Sequence, residues 1–198
     1  MNYTEADIIN LHKKYASSQV VFNIVFTHCR IVFDIAKQLI DDNGLEVDNK
    51  LIYVGAMLHD IGVYRVLDRR GVLINGKSYI SHSVEGQEIL IKEGFEENIY
   101  RFTSHHTGVG ISKNDISNQN LPLPLADYLA ETVEEELIMY ADKFHSKTIP
   151  PKFNSFNSAR NDISKFGEAK VRLLEQFASR FGKPDLNKLS EKYRYLIY

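Results

Sequence analysis

Apolar residues recur at spacings of three and four along nearly the whole chain, the period of helices that bury one face. The clearest run starts at Gln19, where Val21, Ile24, Val25, His28, Ile31, Val32, Ile35 and Leu39 share a stripe. Ser17 or Ser18 can cap that helix, and Asn43-Gly44 ends it near Asp42. Thr4, with Asp7 three positions on, predicts a capped first helix to about Tyr15. Further helices are expected over about 48–59, 81–93, 96–105, 131–145, 162–181 and 185–195. Gly71 and Gly76 mark 68–78 as a loop or small hairpin, and Pro122 and Pro124 mark 108–125 as loop. Residues 150–159 read as a polar connection. The pattern predicts an all-α bundle.

Composition narrows the picture modestly. A chain of 198 residues suits one domain, taken as 1–198 with a core over about 20–150 and a helical extension over 160–198. Hydrophobic and charged contents of 43% and 25% are those of a globular protein. A net charge of −2 gives no general pull toward nucleic acid or acidic membranes, though it leaves room for a local basic pocket. The lone Cys29 excludes an intramolecular disulfide and suits a reducing cytoplasm, the expected location. The start MNYTEADIINLHKKY lacks the basic and apolar regions of a secretory signal. The most apolar stretch, 20–35, is interrupted by Asn23, His28, Arg30 and Asp34, so no membrane span is expected.

Chemistry enters with His59-Asp60, at the end of the apolar run LIYVGAMLHDIG. An aspartate in the register of Met57, Leu58 and Ile61 is costly to bury without a partner, and a metal ion would supply one. Other ligand-type residues fall around the pair in order: His28, His82, His105-His106 and Asp142. Histidine with carboxylate suits divalent transition metals. Neighbouring side chains on a helix diverge by about 100°, so His59 and Asp60 can straddle two positions, as can His105 and His106. Taken alone, His28 reads as a core histidine, His82 as a helix-start residue and Asp142 as a surface acid. His12 and His145 have no partner pattern and read as surface histidines. Glu131, Glu134, Glu135 and Glu136 suit a solvated helix start. Arg65, Arg69, Arg70 and Lys77 lie in or near the loop after His59-Asp60; there Arg65, Arg69 and Lys77 are candidates for holding phosphate. Lys143 and Arg160 are further candidates.

The order H…HD…H…HH…D, with HDIG at 59–62 and the phrases SHSVEGQEIL and SHHTGVG, resembles the HD-domain superfamily of metal-dependent phosphohydrolases over roughly residues 20–150. More loosely it is similar to bacterial di-iron hydrolases of symmetrical dinucleoside tetraphosphates. It departs from the HD-GYP cyclic-di-GMP phosphodiesterases, because Thr107 follows His-His where they have Glu, and no GYP follows. The resemblance implies an HD-domain helical bundle with a metal site in its core. It implies two divalent metals, with iron or manganese favoured and zinc, cobalt or nickel open. His28, His59, Asp60 and Asp142 would hold one, and Asp60, His82 and His105 the other. His105 is preferred because it follows Phe102 by three, with the reverse assignment to His106 left open. Asp60 would orient a metal-bridging hydroxide that attacks a phosphate ester or anhydride, and His106 would donate a proton to the leaving oxygen. The partner implied is a small phosphate substrate, a nucleotide by preference, with no nucleic acid or membrane and with a homodimer left open. Two alternatives remain: a di-iron oxygenase on the same scaffold, as in myo-inositol oxygenase, and a non-catalytic nucleotide- or metal-binding module.

Overall fold

Thr4 and Asp7 close a reciprocal capping box on α1 (Glu5–Tyr15). Ser18 caps α2 (Gln19–Asn43), which stops at Gly44 in the left-handed region, φ 62°. Asp48 caps α3 (Asn49–Leu58), which runs through His59-Asp60 into a 3-10 turn at Ile61–Arg65. A second 3-10 turn, Tyr79–Ser81, leads into α4 (His82–Lys92), and α5 (Glu97–Ser104) follows. Next come α6 (Lys113–Gln119) and α7 (Val133–Asp142). A short antiparallel pair, β1 (His145–Ser146) and β2 (Lys152–Phe153), sets His145 opposite Phe153. The chain closes with α8 (Phe156–Ser164), α9 (Glu168–Phe181) and α10 (Asn187–Tyr193). The structure is a computed structural model and describes residues 3–198.

Three segments differ from the expectation. The loop over 108–125 contains α6, nucleated by a capping box between Ser112 and Asp115. The helix expected to reach 145 stops at Asp142, because Asn154 engages the next two carbonyls, Phe144 O through its backbone N–H and Lys143 O through its side chain. The single helix expected over 162–181 is two: Ser155 caps α8, and Gly167, at φ 99°, starts α9 afresh.

α2 joins two halves of the core. Val21, Val25 and Cys29 pack with residues of α1, α3, α4 and α5, whereas Ile31, Val32, Ile35 and Leu39 pack with α7 and α9. α2 is long and apolar enough to cross a membrane by length and composition, but here its apolar stripe is the core. Each such aliphatic side chain contributes roughly 1.5–3 kcal/mol on burial, so the scaffold does not rest on polar groups. His28 sits on α2 where the two halves meet.

One contact fixes the inner geometry. A Cβ on Gly62 would lie 2.0 Å from His82 O and 2.3 Å from Gly86 N. The turn after His59-Asp60 therefore lies backbone to backbone against the start of α4. On the other side of α3, a Cβ on Gly55 would lie 2.7 Å from the Phe102 ring, so α5 also packs close.

Candidate metal centre and cleft

Five segments deliver the cluster: His28 from within α2, His59 and Asp60 from the turn after α3, His82 at the start of α4, His106 just past α5, and Asp142 at the end of α7. His28 Nε2 lies 2.9 Å from Asp142 Oδ1, 3.1 Å from Asp60 Oδ2 and 3.2 Å from His59 Nε2. On the other side, His82 Nε2 lies 3.2 Å from Asp60 Oδ1 and 3.1 Å from His106 Nε2, and His106 Nε2 lies 3.5 Å from Asp60 Oδ1. Asp60 thus gives one oxygen to each of two donor groups, His28–His59–Asp60 and Asp60–His82–His106.

The protonation pattern shows what the cluster needs. His59 Nδ1 lies 2.7 Å from Ala56 O, His82 Nδ1 2.6 Å from Tyr79 O, and His106 Nδ1 3.0 Å from Phe102 O. A carbonyl only accepts, so each ring places an N–H at Nδ1, and in the neutral ring Nε2 carries a lone pair. The lone pairs of His82 and His106 then face each other at 3.1 Å beside Asp60 Oδ1, which is buried without a hydrogen bond. Acceptors crowded on acceptors call for a cation between them. The donor set fits a divalent metal, with backbone carbonyls orienting the rings as metal sites require.

Burial alone would raise the pKa of Asp60, but the Lys147 ammonium and the His59 ring, whose own pKa Asp60 holds well above the usual imidazole value against its burial, keep it well below the usual carboxylate range. Asp142 is likewise held low against its burial, chiefly by Lys143, whose ammonium lies 2.8 Å from Oδ2. Burial lowers the pKa of His106 to about 4, which keeps the ring free of a competing proton at neutral pH.

His106, not His105, reaches the cluster. The His105 side chain turns to Ser104 Oγ, at 2.7 Å, and the Tyr128 ring. The helix ends at Ser104, and the departure of the chain there swings the second histidine inward. With Nδ1 and Nε2 both engaged, His106 is poorly placed to donate a proton to a leaving group. Two of the residues expected to hold phosphate are engaged elsewhere. Arg65 pairs with Glu85 and Glu88, and Lys77 with Glu85, all at 2.8–2.9 Å. Arg69 is exposed and does not line the cleft above the cluster.

Two histidines read as surface residues are buried. His145 Nδ1 lies 2.8 Å from His28 Nδ1, so it orients that ring, and burial lowers its pKa to about 2. His12 Nε2 meets Met57 O at 2.7 Å and its Nδ1 meets Tyr64 Oη at 2.8 Å, tying α1 to both sides of His59-Asp60. His12 carried a signal in the sequence, since it shares the buried face of α1 with Ile8 and Leu11. Lys147, which sequence reading also missed, donates to Asp60 Oδ2. A cleft of about 310 Å³ lies over the cluster, lined by Asp60, His82, His106, Asp142, Lys143 and Lys147 among others.

The ordered cluster inside a helical bundle defines the class: the chain belongs to the HD-domain family, whose model matches residues 25–147. Its sequence is 38% identical over 121 residues to an uncharacterized protein of Methanocaldococcus jannaschii, covering 60% of this chain and 64% of that one. It is 32% identical over 124 residues to a tRNA (cytidine(56)-2'-O)-methyltransferase of Picrophilus torridus, and 30% identical over 138 residues to its namesake of Thermoplasma volcanium. The matches cover 63% and 70% of this chain but only 32% and 35% of those proteins. The fold is that of the HD domain of the L. monocytogenes phosphodiesterase PgpH, at TM-score 0.53 and 14% identity, covering 94% of this chain and 98% of that one. The same domain in complex with cyclic-di-AMP gives TM-score 0.52 over 89% of this chain and 96% of that one.

Proposed function

We propose that this protein hydrolyses a phosphate ester or anhydride of a nucleotide, with two divalent metals held by His28, His59, Asp60 and Asp142 and by Asp60, His82 and His106. The observation that carries the reading is the facing pair of imidazole acceptors around Asp60, set beneath a cleft that holds two lysines. Bound metals would supply a nucleophile at neutral pH and offset charge growing on the phosphoryl oxygens. The protein's own groups do the rest. Asp60 orients the attacking water. Lys143, already a candidate in the sequence, and Lys147 hold phosphoryl oxygens, in place of Arg65, Arg69 and Lys77. The attacking water gives up a proton as its oxygen bonds to phosphorus, the P–O bond to the leaving group breaks, and the leaving oxygen takes a proton from solvent water in the cleft, so the proton count balances. The cyclic-di-AMP complex of PgpH favours a nucleotide. Methyl transfer is not carried over from the tRNA-modifying relatives, since this chain spans about a third of their length.

The test is a hydrolysis screen over mononucleotides, cyclic nucleotides and dinucleoside polyphosphates, with the protein loaded in turn with manganese, iron, zinc, cobalt or nickel. Hydrolysis that chelation abolishes is expected. Oxygen uptake with an organic substrate, and no hydrolysis with any metal, would overturn the reading.

A further inference from the structure

Tyr79 has no part in the chemistry above, yet it lines both the cleft over the cluster and a second cavity of about 470 Å³ beside it. That volume falls within the range of small-molecule sites. The backbone of Tyr79 serves the metal centre: in the 3-10 turn before α4, its carbonyl accepts from His82 Nδ1 at 2.6 Å. Its ring packs on the His82 ring, 4.8 Å between centroids and tilted by 40°. Lys147 Nζ lies 6.0 Å from the centroid of the Tyr79 ring. Burial of the hydroxyl end raises its pKa, so the ring stays neutral beside a phosphate. Even so, Tyr79 is 40% exposed. With the hydroxyl covered and His82 against the ring, what remains open is ring surface, and it faces the two cavities. Covering His82 does not account for that open surface. The wall of the larger cavity also includes the aliphatic side chains of Ile24 and Leu67.

We infer that Tyr79 is the platform on which the substrate stacks a flat ring, so that the site takes phosphates carried by a base and passes over those carried by a sugar alone. The inference rests on the phosphohydrolase reading for the placement of the phosphate at Lys143 and Lys147. Both lysines line the same two cavities as Tyr79. A phosphate bound there lies beside the Tyr79 ring, and the groups that follow it in a nucleotide, a sugar and then a base, come within reach of the ring. A base laid on the ring covers apolar surface that water otherwise meets, and an offset stack adds its own attraction. Stacking does not read base edges, because every base has a π-face. The site should therefore hold all bases, purines somewhat better through larger overlap, and discriminate against phosphates without a ring. Tyr79 would set that preference without touching the reacting phosphorus.

The experiment is equilibrium binding of two phosphonates, those of adenosine and of ribose, to the manganese-loaded full chain, alongside the hydrolysis screen. Water does not cleave their C–P bond, so binding is read without turnover. The adenosine compound is expected to bind at least about tenfold more tightly than the ribose compound, the scale of one base stacked on an aromatic side chain. Tyr79→Phe should keep that ratio. Tyr79→Leu, which fills similar space without a π-face, should remove most of it. Neither substitution removes the carbonyl that orients His82, so metal content and circular dichroism should match the wild type. Equal binding of the two compounds by the wild-type protein would overturn the inference without reference to any variant. So would a preference lost in Tyr79→Phe as well, which would assign it to the hydroxyl, or one kept in Tyr79→Leu, which would place it elsewhere. Hydrolysis without ring preference would remove the platform alone. Ring preference without hydrolysis of any nucleotide would leave the platform standing and remove the hydrolase reading.

Discussion

Replacing His105 and His106 one at a time separates two neighbours that the sequence alone does not tell apart. His106 is one of two imidazole donors around Asp60 Oδ1, its Nε2 3.1 Å from His82 Nε2 and 3.5 Å from Asp60 Oδ1. His105 is half-buried, and its ring meets Ser104 and Tyr128 instead. Even outer partners of metal ligands are worth 10–100-fold in metal affinity. Removing a ligand itself, as in His106→Ala, should weaken one metal equivalent by at least about 100-fold, or about 2.8 kcal/mol. Turnover should fall by about three decades, near 4 kcal/mol of barrier. His105→Ala should lose no more than about 1 kcal/mol of stability, the scale of one local hydrogen bond, and keep both metal equivalents. Elemental analysis after dialysis, chelator competition and turnover on the best nucleotide from the screen would read all of this. Equal losses in the two variants, or a larger loss for His105→Ala, would refute the donor assignment.

Gly62→Ala places a Cβ 2.0 Å from a backbone carbonyl that cannot yield, so it should cost at least about 3 kcal/mol, beyond ordinary overpacking, and lower Tm by roughly 6–12 °C in calorimetry; an unchanged Tm would contradict the seam. Asp60→Ala should abolish hydrolysis, by at least about three decades, while circular dichroism stays near wild type; a folded variant with unchanged turnover would make the His-Asp pair structural. Stability should fall with acid, because burial lowers the pKa of His12 from 6.5 to about 4. Between those values the unfolded chain binds the proton and the folded one does not, so the contribution is intact above pH 6.5 and is lost as pH falls toward 4, by up to about 1.4 kcal/mol per pH unit. Urea titrations from pH 7 to 4 should show this slope and His12→Gln should reduce it; a slope unaltered by the substitution would place the acid-sensitive group elsewhere.

The helices and most of the cluster were legible because both depend on short-range pattern. Ser18, Asp48 and the stripe on α2 mark helix limits with local chemistry, and His28 rides that stripe into the core. His59-Asp60 was legible because a buried carboxylate contradicts its apolar register. Less legible was what depends on where the chain turns after a helix. The swing past Ser104, where α5 ends, decides between His105 and His106, and the spacing of apolar residues does not mark it. His145 and Lys147 escaped for the same reason, since the continuing periodicity hid the helix end at Asp142. Arg65 and Lys77 carried the right chemistry for phosphate, but Glu85, brought near by the fold, takes both.

The seam at Gly62 has one more consequence. Side chains can adjust to an ion by changing rotamer, but a backbone laid against a backbone cannot give way. His59-Asp60 and His82 are joined through such a seam, so the spacing between the two donor groups should be nearly independent of which ion arrives. The site would then discriminate among ions by radius. One of the wrong size would bind weakly, with stretched bonds, rather than draw the protein around itself. The choice of metal would in that sense be written at a residue that never touches it.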